Sequence, residues 1–420
     1  MSQNIMNVVD SAMVGAQGPA ALDAVGMSSM VSFLAQAGLM GLSEGVQATA
    51  ARRHGQGASD TMAEPLNGGL FLAVLIGVPL TLLLYLAAPI LYPYLRSDPA
   101  VIAEGVPYLR ARLIAAVGVG MNFAFRGYFN GVNLSQIYMR SLLGMHFCNV
   151  ILSYALVFGK LGAPKLGATG AGIGTAVSTY ILTGIYVVMA LRRARSAGFL
   201  RSLPDRATLV KMLRVSFPSM VRQSFFAGGL TALYWIVGQV GTAAGAAAQL
   251  IVTLMLIAIL PGIGLGLAAA SLVGQALGRN DRADAARWGW DVVKIGVVVL
   301  AVIGLPMVLF PGTLIGAFID DPATIAVGEM PLRVIGATIF LDGIGLVLQN
   351  AMLGAGDSRR IMYVAIGLQW LLFLPAAYLA GPVLGYGLIG IWTAMAVHRI
   401  LQAASFAIMW HRGKWAHVAI

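Results

Sequence analysis

Three of the chain's 16 acidic residues, Asp10, Glu44 and Asp342, stand inside long apolar stretches. The other 13 fall in polar segments or at the ends of apolar ones. An ionised carboxylate in hydrocarbon is costly unless it is solvated, paired or protonated, so such residues mark ion or proton sites by default. Their chemistry would be reversible binding of H+ or a small cation, with neighbouring side-chain oxygens as further ligands. Asp10 has Asn7 three residues before it, on the same side of a helix. Asp342 has Gln349 seven residues after it, on about the same face. Glu44 lies two turns from Arg52 and is read as reaching the membrane surface. Arg222 is the one basic residue placed well inside a span, with Gln223 beside it. It lies about 12 Å deeper along the helix than Arg214 and either snorkels back or pairs with an acid.

No catalytic constellation accompanies these groups. The five histidines (His54, His146, His398, His411 and His417) include no pair at metal-ligand helical spacing inside an apolar run. A single cysteine, Cys148, rules out an internal disulfide and a thiolate metal cluster. An enzyme is therefore not expected, nor any cofactor beyond a coupling ion.

The elements that must position these residues are membrane spans. Of the 420 residues, 59% are hydrophobic and 10% charged, against about 25% charged in a soluble domain. The net charge of +11 then asks for a topological explanation rather than a nucleic-acid partner. A first stretch ends at Gln17-Gly18-Pro19. It is apolar at helical spacing but only 15 residues long, where a full span needs about 20, so helix 1 is expected to be short or to lack its start. Further spans read at about 20–51, 65–92, 106–128, 138–159, 168–191, 215–240, 245–275, 290–316, 331–354, 361–380 and 386–410. The fold class is thus an all-α polytopic membrane protein of about twelve helices. Residues 1–191 would form one six-helix lobe, 192–214 a basic linker and 215–420 a second six-helix lobe.

That linker carries Arg192, Arg193, Arg195, Arg201, Arg206, Lys211 and Arg214 against one acid, Asp205, so it is read as a solvated cytoplasmic segment. Alternate loops then assign the remaining basic residues. The linker's side also receives Arg52, Arg53, Arg126, Arg140, Arg279, Arg282, Arg287, Lys294, Arg359, Arg360, Arg399, Arg412 and Lys414. The opposite side receives Arg96, Arg110, Arg112, Lys160, Lys165 and Arg333, a ratio of 20 to 6. Both termini are accordingly placed in the cytoplasm.

The two halves also repeat. Asp98-Pro99-Ala100-Val101-Ile102-Ala103-Glu104-Gly105 returns as Asp321-Pro322-Ala323-Thr324-Ile325-Ala326-Val327-Gly328. Leu166-Gly167, Gly172-Ile173 and Thr175-Ala176 return as Leu384-Gly385, Gly390-Ile391 and Thr393-Ala394. Six helices separate equivalent points, so the copies have the same polarity, a parallel pseudo-two-fold repeat of two bundles.

The segments VVDSAMVGAQGPAALDAVG, GVQATAARRHGQG, FRGYFNG and FCNVILSYALVFG resemble the first half of the multidrug and toxic compound extrusion (MATE) transporters. SLVGQALGRND, LDGIGLVLQNAMLGAGDSRR and LGYGLIGIWTA resemble the second half, in the family's order. The resemblance implies two bundles around a central cleft that export organic, cationic or amphiphilic compounds against inward flow of H+ or Na+. It places Asn149, Ser153 and Thr175 near Asp10 as an ion-coupling set, with a Na+ site at Asp10 and Asn149. Asp342, Gln349, Arg222 and Gln223 would line the substrate cleft. The implied setting is a bacterial inner membrane, with a monomer whose partners are a small organic substrate and the lipid bilayer. The family's first helix usually begins earlier in the chain.

Two departures stand out. The NorM-like branch has a glutamate in helix 7, where Pro218 to Phe226 here offers Arg222 and Gln223 but no acid. The DinF-like branch pairs its helix 5 asparagine with an aspartate one turn on, and Ser153 stands there instead. The alternative function is a lipid or lipid-linked precursor flippase of the same superfamily, which would need several basic residues in the cleft.

Overall fold

The computed structural model describes residues 10–418, and every regular element among them is a helix. Residues 10–15 lie in α1. There follow α2 (Pro19–Gly55), α3 (Glu64–Leu95), α4 (Pro99–Gly131), α5 (Ser135–Phe158), α6 (Gly167–Arg193) and α7 (Arg206–Gly238). Next come α8 (Thr242–Ala258), α9 (Leu260–Gly278), α10 (Arg282–Leu309), α11 (Pro311–Gly316), α12 (Pro322–Thr338) and α13 (Phe340–Gly354). The chain ends with α14 (Ser358–Ile366), α15 (Leu374–Tyr378) and α16 (Gly387–His411), with π-helical turns at Gly367–Phe373 and Leu379–Val383. Among the described residues eight helices are long and apolar enough to cross a membrane, or nine if the bent pair α12–α13 is one span. Two more, α4 and α7, are 33 residues each but carry several charges. They bring the total among the described residues to eleven, with residues 10–15 the described part of α1.

Local chemistry sets where these helices begin. Gly18 takes a φ of +119°, which an L side chain resists, and Pro19 then opens α2 with its preset φ. Asp98 caps α4 by accepting from the Ala100 amide at 2.9 Å. Its repeat partner Asp321 caps α12, accepting from the Thr324 amide at 3.0 Å and the Thr324 hydroxyl at 2.6 Å. Those bonds hold Asp321 below the usual carboxylate range. Its support for the helix start is therefore present at neutral pH and lost as pH falls through that depressed value. Gly167, the first residue of α6, and its repeat partner Gly385, two residues before α16, both take left-handed φ values, +58° and +75°.

The chain packs as two compact units, Met1–Ala50 with Ala58–Met220 and Ala51–Gly57 with Val221–Ile420. In the first, Phe125, Tyr128, Phe129 and Tyr186 form an aromatic core. The basic segment after α6 is not simply solvated. Phe199 is buried edge-on against Phe125, and Asn67 of α3 donates to the carbonyls of Gly198 at 2.9 Å and Ser202 at 2.7 Å. Seven basic residues mask this anchor in the sequence. Arg206, Lys211 and Arg214 are already helical, because α7 starts at Arg206 rather than near residue 215.

In the second unit α12 and α13 meet at a 52° bend around Ile339. Leu332, Ile335, Ile339, Leu388, Ile391 and Trp392 pack in its core.

Candidate functional site

Asp10 is wholly buried in the first unit, and groups from three further helices converge on its carboxylate. Thr175 of α6 donates its hydroxyl to Oδ2 at 3.0 Å, and Tyr108 of α4 does so at 3.2 Å. Ser153 of α5 donates to Oδ1 at 3.3 Å. Arg112 of α4 places Nη1 3.3 Å from Oδ2, and this side chain is 1% exposed. Asn149 lies one layer out, its amide donating to Thr175 Oγ1 at 3.1 Å and Ser153 Oγ at 3.4 Å.

The helices present these groups through simple periodicity. Tyr108 and Arg112 are four residues apart on α4, as are Asn149 and Ser153 on α5, so each pair shares a face. Close approach of α5 and α6 depends on Gly174. A Cβ there would meet Ser153 Oγ at 2.7 Å, its N at 2.9 Å and its Cα at 3.0 Å. Gly174→Ala must therefore push the two helices apart, at a cost of about 1–3 kcal/mol. We expect a lower melting temperature together with weaker coupled transport, because Ser153 moves off Asp10. An unchanged melting curve would show that the helix pair yields without cost.

The structure thus brings Asp10, Asn149, Ser153 and Thr175 into one cluster. Asn7 lies outside the described residues. Arg112 belongs to this cluster and not to a helix end, which corrects its assignment to the surface. Its neighbour Arg110 points elsewhere, donating to the Tyr85 carbonyl at 3.1 Å.

The second unit has its own buried pair. Asp342 Oδ2 lies 3.2 Å from Arg399 Nη2, with side chains 10% and 4% exposed. Arg399 also reaches the Ile335 carbonyl at 3.4 Å and the Thr338 hydroxyl at 3.3 Å, both next to the bend. The Ile335 carbonyl also accepts the Ile339 amide at 2.8 Å, so Arg399 adds a second donor beside the bend. Arg399 is accordingly an interior residue, 12 positions short of the end of α16 at His411. The expectation that Arg222 is the one basic residue inside a span is corrected by both arginines. Arg222 and Gln223 are half-buried on α7, and Gln349 is buried two turns beyond Asp342. Asp342 is not a free counter-charge, since Arg399 already neutralises it. Among the described residues no three His, Cys, Asp or Glu side chains form a metal-binding group.

Known proteins show the same organisation. The MatE family model matches residues 1–155 and 218–379. A probable multidrug resistance protein NorM of Thermotoga maritima is 25% identical, the alignment covering 100% of this chain and 90% of that protein. A probable multidrug resistance protein NorM of Mesorhizobium japonicum is 28% identical, over 98% of this chain and 90% of its own length. Among solved structures, an outward-facing multidrug resistance MATE family transporter of the MOP superfamily superposes with a TM-score of 0.90 at 20% identity, over 100% of this chain and 93% of that one. A MOP superfamily transporter from Pyrococcus furiosus, described as having a binding pocket of reverse polarity, gives 0.87 at 19% identity with the same coverage.

Proposed function

This chain belongs to the MatE family of membrane transporters, and we propose that it is a secondary active exporter. It moves organic cations or amphiphiles out of the cell in exchange for an inward flow of H+ or Na+. The observation that carries this reading is Asp10, a wholly buried carboxylate on a membrane helix, reached by donors from α4, α5 and α6. Such a group has no packing advantage over an apolar side chain, and it is suited to respond to a cation.

The geometry suggests how the response travels. While Asp10 is ionised, Thr175, Ser153, Tyr108 and Arg112 tie α1 to α4, α5 and α6. Neutralising the carboxylate weakens these charge-assisted bonds together, and α1 is then free to take a second position in its unit. Substrate affinity follows that position, and the shift cannot exceed the ion's differential affinity for the two states.

A flippase for anionic headgroups would need basic groups with charge to spare. Among the described residues the two nearly fully buried arginines, Arg112 and Arg399, each face a carboxylate. An inner-membrane location with both termini in the cytoplasm is supported by the basic residues. With Arg112 and Arg399 moved to the interior, the earlier assignment still leaves 19 on the linker's side against 5 on the other. The protein is taken to act as a monomer, with no role for nucleic acid. Proteoliposomes loaded with a fluorescent cationic dye provide the test. Dye should move against its gradient when an opposing pH or Na+ gradient is imposed. Equal dye movement with and without any ion gradient would defeat the reading.

A further inference from the structure

We propose that Arg112 is the resident cation of the Asp10 site and that its presence excludes Na+. This deepens the exporter reading and rests on it for the transport consequence, but the ion-binding claim stands on the geometry. Both members of the pair are almost completely shielded from solvent, and Nη1 lies 3.3 Å from Oδ2. A guanidinium keeps its proton at any physiological pH and has no lone pair to offer a metal ion. Among the described residues the Asp10–Arg112 pair joins one positive charge to one carboxylate, and the pair is already neutral. A Na+ bound to Asp10 would leave a buried net charge of +1, which is the costly arrangement.

The ligand set points the same way. Where the DinF-like pattern has a second carboxylate one turn after the asparagine, this chain has Ser153, so no second negative charge balances an extra cation. Tyr108, Thr175 and Ser153 all direct hydroxyl donors at Asp10, as suits a carboxylate held by donors. Asn149 does not touch the carboxylate and is engaged with Thr175 and Ser153. Two like charges about 4 Å apart at an effective dielectric near 20 weaken binding roughly a thousand-fold, equivalent to about 4 kcal/mol. Na+ is thereby excluded from the Asp10 site.

The test measures radioactive Na+ binding to the purified full-length protein in detergent near neutral pH. The parent should show no Na+ binding beyond that of Asp10→Asn. Arg112→Gln should gain binding by roughly a thousand-fold in affinity, and adding Asp10→Asn to it should abolish the gain. Arg112→Lys, which keeps the charge, should behave like the parent. Asp10-dependent Na+ binding by the parent would overturn the proposal, as would a folded Arg112→Gln protein that gains none. If Arg112→Gln fails to fold, the comparison of parent, Asp10→Asn and Arg112→Lys still decides: Asp10-dependent binding in either charged form refutes the proposal, and its absence supports it. In parallel liposomes given either a pH gradient or a Na+ gradient, dye export by the parent should ignore the Na+ gradient. Failure of both gradients would remove the exporter reading, while the binding data would still decide the role of Arg112.

Discussion

Asp10→Asn is expected to stop gradient-driven export and to lower the stability of its unit in the same protein. Coupling stops because an amide cannot exchange a proton or respond to a cation as the carboxylate does. Stability falls because the mutation removes only one member of a buried pair. Arg112, 1% exposed, would keep its charge and lose Asp10 as its counter-charge. Breaking a buried ion pair this way costs about 3–5 kcal/mol, whereas replacing both members with apolar groups of similar size is often neutral. The double change Asp10→Asn with Arg112→Met should therefore recover much of the melting temperature without recovering export. This separates the two roles of the carboxylate. Export by Asp10→Asn at the parental rate under an imposed gradient would show that coupling lies elsewhere. A parental melting curve for Asp10→Asn would show that Arg112 has another counter-charge within reach.

Much of this site was readable before any coordinates. An acid in an apolar stretch is a strong signal because its cost in hydrocarbon demands a reason. Asp10 and Thr175 are 165 positions apart, so no local periodicity links them, and only the resemblance brought them together. Arg112 was missed for an identifiable reason. Arg110 and Arg112 look like one surface pair, but residues two apart point about 200° away from each other on a helix of 3.6 residues per turn. If Arg110 reaches outward, Arg112 must face inward, and that inference needed no structure. The same holds for Arg399, which stands in the middle of the span read at 386–410 and was nonetheless assigned to its end.

The start of α2 was legible at Gly18-Pro19, whereas Asp98-Pro99 and Asp321-Pro322 open α4 and α12 seven and nine residues before the spans read at 106 and 331, because the polar first turns hide the helix from hydropathy. The bend at Ile339 was not legible, because no proline stands at it. The contact beside it is tertiary: Arg399 arrives from α16, 60 residues further on, and bonds to Ile335 and Thr338. The docking of the basic linker was hidden in a similar way. Seven charges advertise solvent, while the anchor is one phenylalanine, Phe199, and one asparagine on α3, Asn67.

Asp342→Asn is expected to act through the same electrostatics in the second unit, with a different functional signature. Arg399 would lose its counter-charge inside a core where it is 4% exposed, at a cost of about 3–5 kcal/mol. The Ile335 and Thr338 contacts would remain, so the bend should loosen rather than vanish. Because the carboxylate is already neutralised, transport of cationic and neutral compounds should fall together, in proportion to the folded fraction. Asp342→Leu with Arg399→Met removes both charges and should recover most of the melting temperature, short of all of it because the Thr338 hydroxyl loses the donor it has in Arg399. The measurement is a melting curve alongside transport of one cationic and one neutral dye in the same liposomes. Selective loss of cation transport at a parental melting temperature would instead make Asp342 a counter-charge for substrate. Arg399 would then have to swing away from it during the cycle.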